Sequence, residues 1–380
     1  MPKYDVVSGD SHLEISPDRW TPRVPAKYRE RAPRLIKLPE GGDAVVIENR
    51  PLYVVGLSLA GLPYEQHSPL GMSYEGAPGA GSAEERLKEQ DRDGVNAEIL
   101  YTSSGNASFW RGITDDNAYK AVIRAYNEWL VEDYCSVAPD RLIAMGIMPE
   151  TNVNDAVAEL EYCARAGLKG IALNAFPSGK GYVVPEDDRF WAAALDLNMA
   201  VTVHVAIRAE ANNQIFKYKQ VPAGVTVRGD PVRQLMRFGL SSANAVQMVM
   251  AEVFERFPRL RVYFAETMIG WIPYAFTQVD DIYERSKYWA ERLYDLEPLP
   301  RRPSDYLKEH CYWGFLRDPV GVQIANEHGI EKAMWGNDFP HSAGDWPRSQ
   351  ELIADMFADT PPDRRQRFLA GNAVEFFHLD

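Results

Sequence analysis

The chain has 380 residues, of which 46% are hydrophobic and 25% are charged, and its formal net charge is −13. This composition is typical of a globular protein with a large core, and it excludes an extensively disordered chain. The acidic balance also argues against a nucleic-acid-binding surface, because such a surface needs clustered Lys and Arg side chains.

Short apolar runs rich in Val, Ile and Tyr alternate with longer helical patterns, which is typical of β/α units around a parallel sheet. The predicted strands are Tyr4–Gly9, Ala97–Thr102, Leu142–Ile147, Gly170–Asn174, Ala200–Val205, Arg261–Ala265, Cys311–Trp313 and Ala333–Gly336. The predicted helices include Asp116–Val137, Val153–Ala166, Asp187–Leu195, Pro231–Phe257 and Trp271–Tyr288. This order predicts an α/β fold, a (β/α)₈ TIM-type barrel, with residues 1–380 as a single domain. No GxGxxG motif follows the first strand, so a dinucleotide-binding open sheet has no support.

Two segments interrupt the repeat, and both follow predicted strands. Residues 16–90, after the first strand, are rich in Pro and Gly, and residues 206–230, after the fifth, mix polar and basic side chains. In a barrel these long insertions would overhang the carboxyl ends of the strands. We therefore expect them to form walls or lids of a pocket.

The cysteines and the amino-terminal residues indicate the cellular compartment in which we expect the protein. Cys135, Cys163 and Cys311 lie far apart without a CxxC spacing, which predicts buried thiols and neither disulfides nor a thiolate metal site. The first residues lack the pattern of a signal peptide, and no run of about 18 apolar residues could span a bilayer. We therefore expect a cytoplasmic protein with no membrane partner.

Candidate metal ligands lie at the ends of three predicted strands. Asp10, His12 and Glu14 alternate along the end of the first strand, so a period of two puts them on one face. His204 ends the fifth strand and Asp338 ends the eighth. Taken singly, each has a structural explanation, as a strand-end hydrogen-bond pair, a core histidine or a turn carboxylate. Because the strand ends of a barrel share one face, their convergence predicts a site for a divalent cation.

Further residues near these ends are candidates for catalysis. Asp338 is predicted to act as the base that deprotonates a metal-bound water. His341, three residues on, either holds Asp338, contacts substrate, or packs as a surface turn histidine. Glu266 ends the sixth strand and is expected either to ligate or bridge a metal ion, or to hold His204 or a bound water from outside the ligand shell.

The supply of aromatic side chains near strand ends and insertions predicts a large pocket for a bulky organic acid derivative. These aromatic residues are Trp20, Tyr101, Trp110, Tyr182, Trp271 and Trp313. An aromatic residue near a strand is more often part of the core, so this assignment has a structural alternative. Arg208, just past His204, could pair with a substrate carboxylate. The predicted substrate contacts are therefore Arg208, Asn174, Trp271 and Trp313.

Segments along nearly the whole chain resemble one family. They are GDSHLEISPDRW, LKEQDRDGVNAEILY, YNEW, PDRL, GLKGIALN, VTVHV, FPRLRVYFAETMIGWIPY, MWGNDFPHS and GNAVEFF. In combination they resemble the amidohydrolase-2 family of the amidohydrolase superfamily, which includes aminocarboxymuconate-semialdehyde and γ-resorcylate-type decarboxylases. The resemblance implies a barrel that binds zinc, iron or manganese through Asp10 and His12, then His204, then Asp338. It also implies a small-molecule substrate and a possible homodimer.

The chain departs from the family pattern at two places. Family decarboxylases usually place a His after the sixth strand, where this chain has Glu266, and that difference argues against decarboxylation. Superfamily members with two metal ions often bridge them through a carboxylated Lys after the fourth strand, where this chain has Asn174. Either one or two ions therefore remain possible, with Glu266 or Asp338 available as a bridge.

Together these features predict a metal-dependent hydrolase in which metal-activated water cleaves an ester, thioester, amide or lactone bond of a bulky organic acid derivative. The alternative is a metal-dependent non-oxidative decarboxylase or hydratase of a hydroxy-aromatic or unsaturated carboxylic acid. A third reading is a catalytically silent binding protein on the same scaffold, against which the complete ligand set argues.

Overall fold

The computed structural model describes residues 3–39, 41–48, 53–54, 58–67, 71–102, 109–207 and 229–379. Eight parallel strands form one sheet in chain order. They are β1 (Val7–Leu13), β5 (Ala97–Thr102), β6 (Leu142–Ile147), β7 (Gly170–Leu173), β8 (Ala200–His204), β9 (Val262–Ala265), β10 (Cys311–Phe315) and β11 (Ala333–Trp335). Their parallel pairing, neighbour to neighbour, confirms the predicted (β/α)₈ TIM-type barrel.

Helices follow the strands and cover the outside of the sheet. They are α1 (Ala83–Asp93), α2 (Asp116–Trp129), α3 (Val153–Ala166), α4 (Asp188–Asp196), α5 (Gly229–Met250), α6 (Val253–Arg256), α7 (Ile272–Tyr294), α8 (Pro303–His310), α9 (Pro319–His328), α10 (Ser349–Met356), α11 (Pro362–Gln366) and α12 (Asn372–Phe377). Among the described residues, none of the helices combines the length and the apolar character needed to cross a bilayer.

Side-chain alternation divides the core into two layers. One buried cluster takes residues from all eight strands, among them Tyr101, Tyr263 and Tyr312, and can therefore only fill the inside of the barrel. The alternate residues, such as Phe264 and Trp313, join a larger cluster with residues of the surrounding helices. Inward-facing positions thus end at the mouth of the barrel, where polar side chains replace apolar ones.

The barrel closes where β1 meets the end of β11. The backbone N–H of His12 donates to the carbonyl of Phe339 at 2.7 Å, and that of Asp338 donates to the carbonyl of Asp10 at 2.9 Å. Gly336 makes this approach possible, because a Cβ there would lie 2.7 Å from Cβ of Asp10. Closure therefore brings the first and last strands together at the residues predicted to bind metal.

Most predicted strands agree with the observed ones to within two residues at each end, but the predicted bounds of the first strand are wrong. The prediction Tyr4–Gly9 is replaced by Val7–Leu13, because pairing with β5 continues to Leu13 and Thr102. Every residue of β1 is buried. Asp10 and His12 therefore lie within the strand and not after it.

The helix predicted at residues 231–257 is interrupted, because Glu252 takes up a left-handed conformation with φ of 56° between α5 and α6. The helix predicted at residues 116–137 ends at Trp129 and continues as a π turn, Leu130–Tyr134, and a 3₁₀ turn, Cys135–Val137. Both predictions were right about helical structure and wrong about its continuity.

The insertion after β1 has secondary structure of its own. Its strands β2 (Arg34–Lys37), β3 (Asp43–Val46) and β4 (Tyr53–Val54) form an antiparallel sheet. Its last part contains most of α1, which begins at a capping box between Ser82 and Glu85. Most of the second insertion, residues 208–228, lies outside the described residues.

The close approach at Gly336 predicts a measurable loss of stability in the Gly336→Ala variant. The new Cβ would also lie 2.9 Å from the backbone nitrogen of Asp10, so β1 and β11 must separate. We expect a decrease of about 1–3 kcal/mol in the free energy of unfolding, measured by urea titration in the presence of a chelator.

Gly371→Ala is the matched control, because its Cβ would have no neighbour closer than 3.6 Å in a helical backbone. This variant should be neutral or slightly stabilised. Equal stability of both variants would show that Gly336 is not needed for closure.

Candidate metal centre and active site

Three strand ends position the candidate ligands, and each involves an unusual backbone conformation. Val205, which follows His204, has φ of 61°, while Glu266 and Asp338 have φ of 59° and 49°. Such left-handed conformations are uncommon for residues other than glycine, and they concentrate at functional sites. Here they turn the chain sharply after β8, β9 and β11, so that the side chains stay at the barrel mouth.

The carboxylates and imidazoles meet at short distances. Nε2 of His12 lies 3.3 Å from Oδ1 of Asp10 and 3.1 Å from Oδ1 of Asp338. Nε2 of His204 lies 3.3 Å from the same oxygen of Asp10. The two imidazole rings meet edge to face, with centroids 4.6 Å apart. The structure therefore brings together the predicted residues from β1, β8 and the end of β11.

The converging atoms are buried and lack hydrogen-bond partners. Among the described residues, this applies to both carboxylate oxygens of Asp10, both ring nitrogens of His12 and His204, and Oδ1 of Asp338. Their mutual contacts have the distances of hydrogen bonds without the required geometry. Burying such atoms unsatisfied is costly, and a divalent cation would satisfy them together. Asp10, His12 and His204 form one group that could hold such an ion, and His12, Asp338 and His341 form a second.

His341 lies beside this cluster and connects it to a further carboxylate. Its ring stacks on His12 at a centroid distance of 3.9 Å, and its Nδ1 lies 3.0 Å from Oδ1 of Asp338. Its Nε2 hydrogen-bonds Oε1 of Glu14 at 3.0 Å. His341 is buried, so it is not the surface turn histidine that was one of its three predicted roles, and its contact with Asp338 fits another of them.

Charge pairing sets the ionisation of these groups. Burial favours a neutral Asp10, but His204 and His12 outweigh it and lower the pKa of Asp10. Burial likewise opposes charge on Asp338, whereas the neighbouring His341 brings its pKa well below the usual range. Burial opposes charge on His341 too, but Asp338 and a second carboxylate raise the pKa of His341 to about 10. For His204 burial prevails and lowers the pKa, which favours the neutral imidazole that a metal ligand must present.

Glu266 lies at the edge of the cluster. Its Oε2 is 3.7 Å from Nε2 of His204, and it belongs to neither group of convergent ligand atoms found in the described residues. The side chain is buried. This position is compatible with a role next to His204 from outside the ligand shell, which was one of its two predicted roles.

The structure describes three of the four predicted substrate contacts. Asn174 is half-buried directly after β7. Trp271 donates its indole N–H to the carbonyls of Thr267 and Met268, which fixes the ring against its own turn. Trp313 stacks on Phe264 in the layer between sheet and helices, on the opposite face of β10 from the barrel interior. Arg208 lies outside the described residues.

Of the other aromatic candidates, Tyr101 is nearest to the metal centre. Its ring lies 5.1 Å from that of His204 and 6.1 Å from that of His12. Trp20 and Trp110 pack together in the core, 4.9 Å apart. Tyr182, another of the aromatic residues predicted to line a pocket, is largely exposed.

Two side chains next to the cluster were given no role by the sequence interpretation. Glu14 was placed on the right face but given no role, although it holds His341. Tyr263 faces the barrel interior beneath the cluster, and its hydroxyl is buried without a partner in the described part of the chain. Period-two alternation along β9 puts Tyr263 and Ala265 on the same side, and this signal could have found it.

Comparison with known proteins places this geometry in a family. A family model described as Amidohydrolase (Amidohydro_2) matches residues 10–379. The γ-resorcylate decarboxylase of Rhizobium sp. (strain MTP-10005) is 25% identical over 276 residues, which cover 69% of this chain and 79% of the relative.

Solved structures show the same fold. An amidohydrolase from Mycobacterium avium subsp. paratuberculosis superposes with a TM-score of 0.72 at 18% identity, covering 98% of each chain. A 5-carboxyvanillate decarboxylase from Novosphingobium aromaticivorans, complexed with manganese and 4-hydroxy-3-methoxy-5-nitrobenzoic acid, superposes with a TM-score of 0.66 at 16% identity, covering 99% of this chain and 97% of that one. Since the family model spans nearly all of the described barrel and the strand ends carry the expected groups, the chain belongs to the amidohydrolase-2 family.

Proposed function

We propose that the protein is a metal-dependent, non-oxidative decarboxylase of a hydroxy-aromatic carboxylic acid. The observation that carries the proposal is the match to a γ-resorcylate decarboxylase over 69% of the chain. This favours the alternative over the hydrolase that was our leading interpretation of the sequence, for which the comparisons give no support. The family, the barrel and the convergent ligand groups are common to both reactions, so the choice depends on the relatives.

Asp10, His12, His204 and Asp338 are the residues that would hold the cation. They fit it because their buried atoms converge without hydrogen-bond partners, and because imidazole with carboxylate suits manganese, zinc or iron. When bound, such an ion anchors a substrate carboxylate with its neighbouring hydroxyl and stabilises negative charge on the oxygens.

Decarboxylation requires a proton at the ring carbon that bears the carboxylate. When the bond from this carbon to the carboxylate breaks, its electron pair returns to the ring and carbon dioxide leaves. His341 is placed to supply the proton, because it lies between the carboxylates of Asp338 and Glu14. Asp338 holds the protonated imidazole in place, since its Oδ1 lies 3.0 Å from Nδ1 of His341.

A hydrolase is the second candidate, and one observation favours it. The buried carboxylate of Glu266 lies beside His204, where the resemblance led us to expect a histidine in a decarboxylase. A carboxylate there could act as a general base towards water. The two reactions differ in their products, so they can be separated directly.

The product assay is the first test. The manganese-loaded protein, incubated with γ-resorcylate and other ortho-hydroxybenzoates in D₂O, should release carbon dioxide and place one deuterium on the ring carbon that lost it. A chelator should abolish this release, and added Mn²⁺ should restore it. Hydrolysis of aryl esters or lactones, with no carbon dioxide from any hydroxy acid, would overturn the decarboxylase in favour of the second candidate.

Metal content tests the ligand set. The His204→Ala variant should bind metal at least about 10-fold more weakly than the unaltered protein, because it removes one of the four ligands. His328→Ala, at the exposed end of α9, is the control and should bind normally. Equal metal content of the His204→Ala variant and the control after dialysis would remove His204 from the site.

The role of His341 can be separated from metal binding. His341→Gln should keep the bound metal but lose about 10²–10⁴-fold in kcat for carbon dioxide release, because an amide cannot supply the proton. The parallel substitution His328→Gln should change neither quantity. Full activity of His341→Gln, or loss of its metal to the extent seen in His204→Ala, would contradict the assignment.

A further inference from the structure

One buried cation is not used by the chemistry described above. Arg86, in α1, has a side chain only 1% exposed. A charged side chain is rarely buried to this extent unless every group around it is matched. Its Nε donates to Oε2 of Glu98 on β5 at 2.6 Å, so the charge has a partner.

The other two nitrogens of Arg86 reach the metal centre through its backbone. Nη1 donates to the carbonyl of His12 at 3.0 Å, and Nη2 donates to the carbonyl of Phe339 at 3.3 Å. His12 is a candidate ligand, and Phe339 directly follows another, Asp338. One guanidinium therefore donates hydrogen bonds both to β1 and to the segment that follows β11, which meet where the barrel closes.

The surroundings hold the guanidinium in this orientation. It lies over the ring of Phe339, 4.4 Å from the centroid. Gln90, one turn along α1, donates to the same oxygen of Glu98 at 2.8 Å, which fixes the carboxylate. A planar fork with several fixed donors can serve these acceptors at once, whereas the ammonium of a lysine presents a single nitrogen.

We propose that Arg86 is a positioning residue that sets the spacing of the metal ligands on β1 and after β11 before the cation arrives. It acts through the carbonyls of His12 and Phe339, and it touches neither metal nor substrate. Outer groups that orient ligands in this way raise the affinity for metal because the ligands need not be reorganised on binding. The inference rests on the cation site proposed above and is independent of the reaction catalysed there.

The test is the affinity of the metal-free protein for Mn²⁺, followed by the electron paramagnetic resonance signal of the free ion. In Arg86→Lys the ammonium can pair with Glu98 but cannot also reach both carbonyls. We expect the dissociation constant for Mn²⁺ to rise about 10- to 100-fold. Urea unfolding of the metal-free variant, measured in parallel, reports any general loss of stability.

Arg124→Lys is the matched control. Arg124 pairs with Glu159 through two nitrogens and joins α2 to α3, outside the strands that carry the candidate ligands. This variant should lose a similar bidentate contact and keep the Mn²⁺ affinity of the unaltered protein. A purely structural Arg86 would lower the stability of the metal-free protein and leave the Mn²⁺ affinity unchanged, as in the control.

A second variant keeps the proposal testable if Arg86→Lys does not fold. The double substitution Arg86→Gln with Glu98→Gln removes both buried charges together, which avoids leaving one unpaired. The shorter amide cannot reach the carbonyls of His12 and Phe339, so the Mn²⁺ affinity should again fall. An unchanged dissociation constant in either folded variant overturns the proposal. Failure of the unaltered protein to bind Mn²⁺ would instead refute the cation site itself.

Discussion

The closure of the barrel between β1 and β11 is the constraint on which the rest of the structure depends. The His12 N–H to Phe339 carbonyl bond and the Asp338 N–H to Asp10 carbonyl bond join segments more than 300 residues apart in the sequence. These bonds bring one carboxylate oxygen of Asp10 and one of Asp338 to the same nitrogen, Nε2, of the His12 imidazole. Without closure, the two carboxylates would belong to opposite edges of an open sheet.

This arrangement concentrates unsatisfied polar atoms in a buried place, at a cost in free energy that a bound cation would offset. His204 completes the set from the opposite side of the barrel, and His341 with Glu14 keeps Asp338 ionised and oriented. In the proposed function, the same geometry supplies a cation site and a proton donor next to it. These are the two requirements that the proposed decarboxylation makes of the protein.

The sequence was sufficient to predict the features that depend on local pattern. His204 could be predicted because it ends an apolar strand, and Asp338 because a carboxylate follows a short apolar run before a turn. Trp313 was predicted to contact substrate, but alternation within one strand does not say which face is inside. Its neighbour Tyr312 proved to be the inward residue, and Trp313 packs beneath the helices.

Contacts between distant segments could not be predicted in this way. Arg86 is 74 residues from His12 and 253 from Phe339, and Glu14 is 327 residues from His341. No local pattern links such pairs, and a buried arginine looks like any other helix residue in the sequence. The reaction was also beyond local pattern, because the candidate ligand groups are compatible with hydrolysis and with decarboxylation.

The most direct measurement is anomalous diffraction from crystals of the manganese-loaded protein. The account predicts an anomalous peak at about 2.0–2.2 Å from the ligand atoms of Asp10, His12, His204 and Asp338, with His341 outside the ligand shell. A peak elsewhere, or none at this position in crystals that bind manganese, would contradict the account.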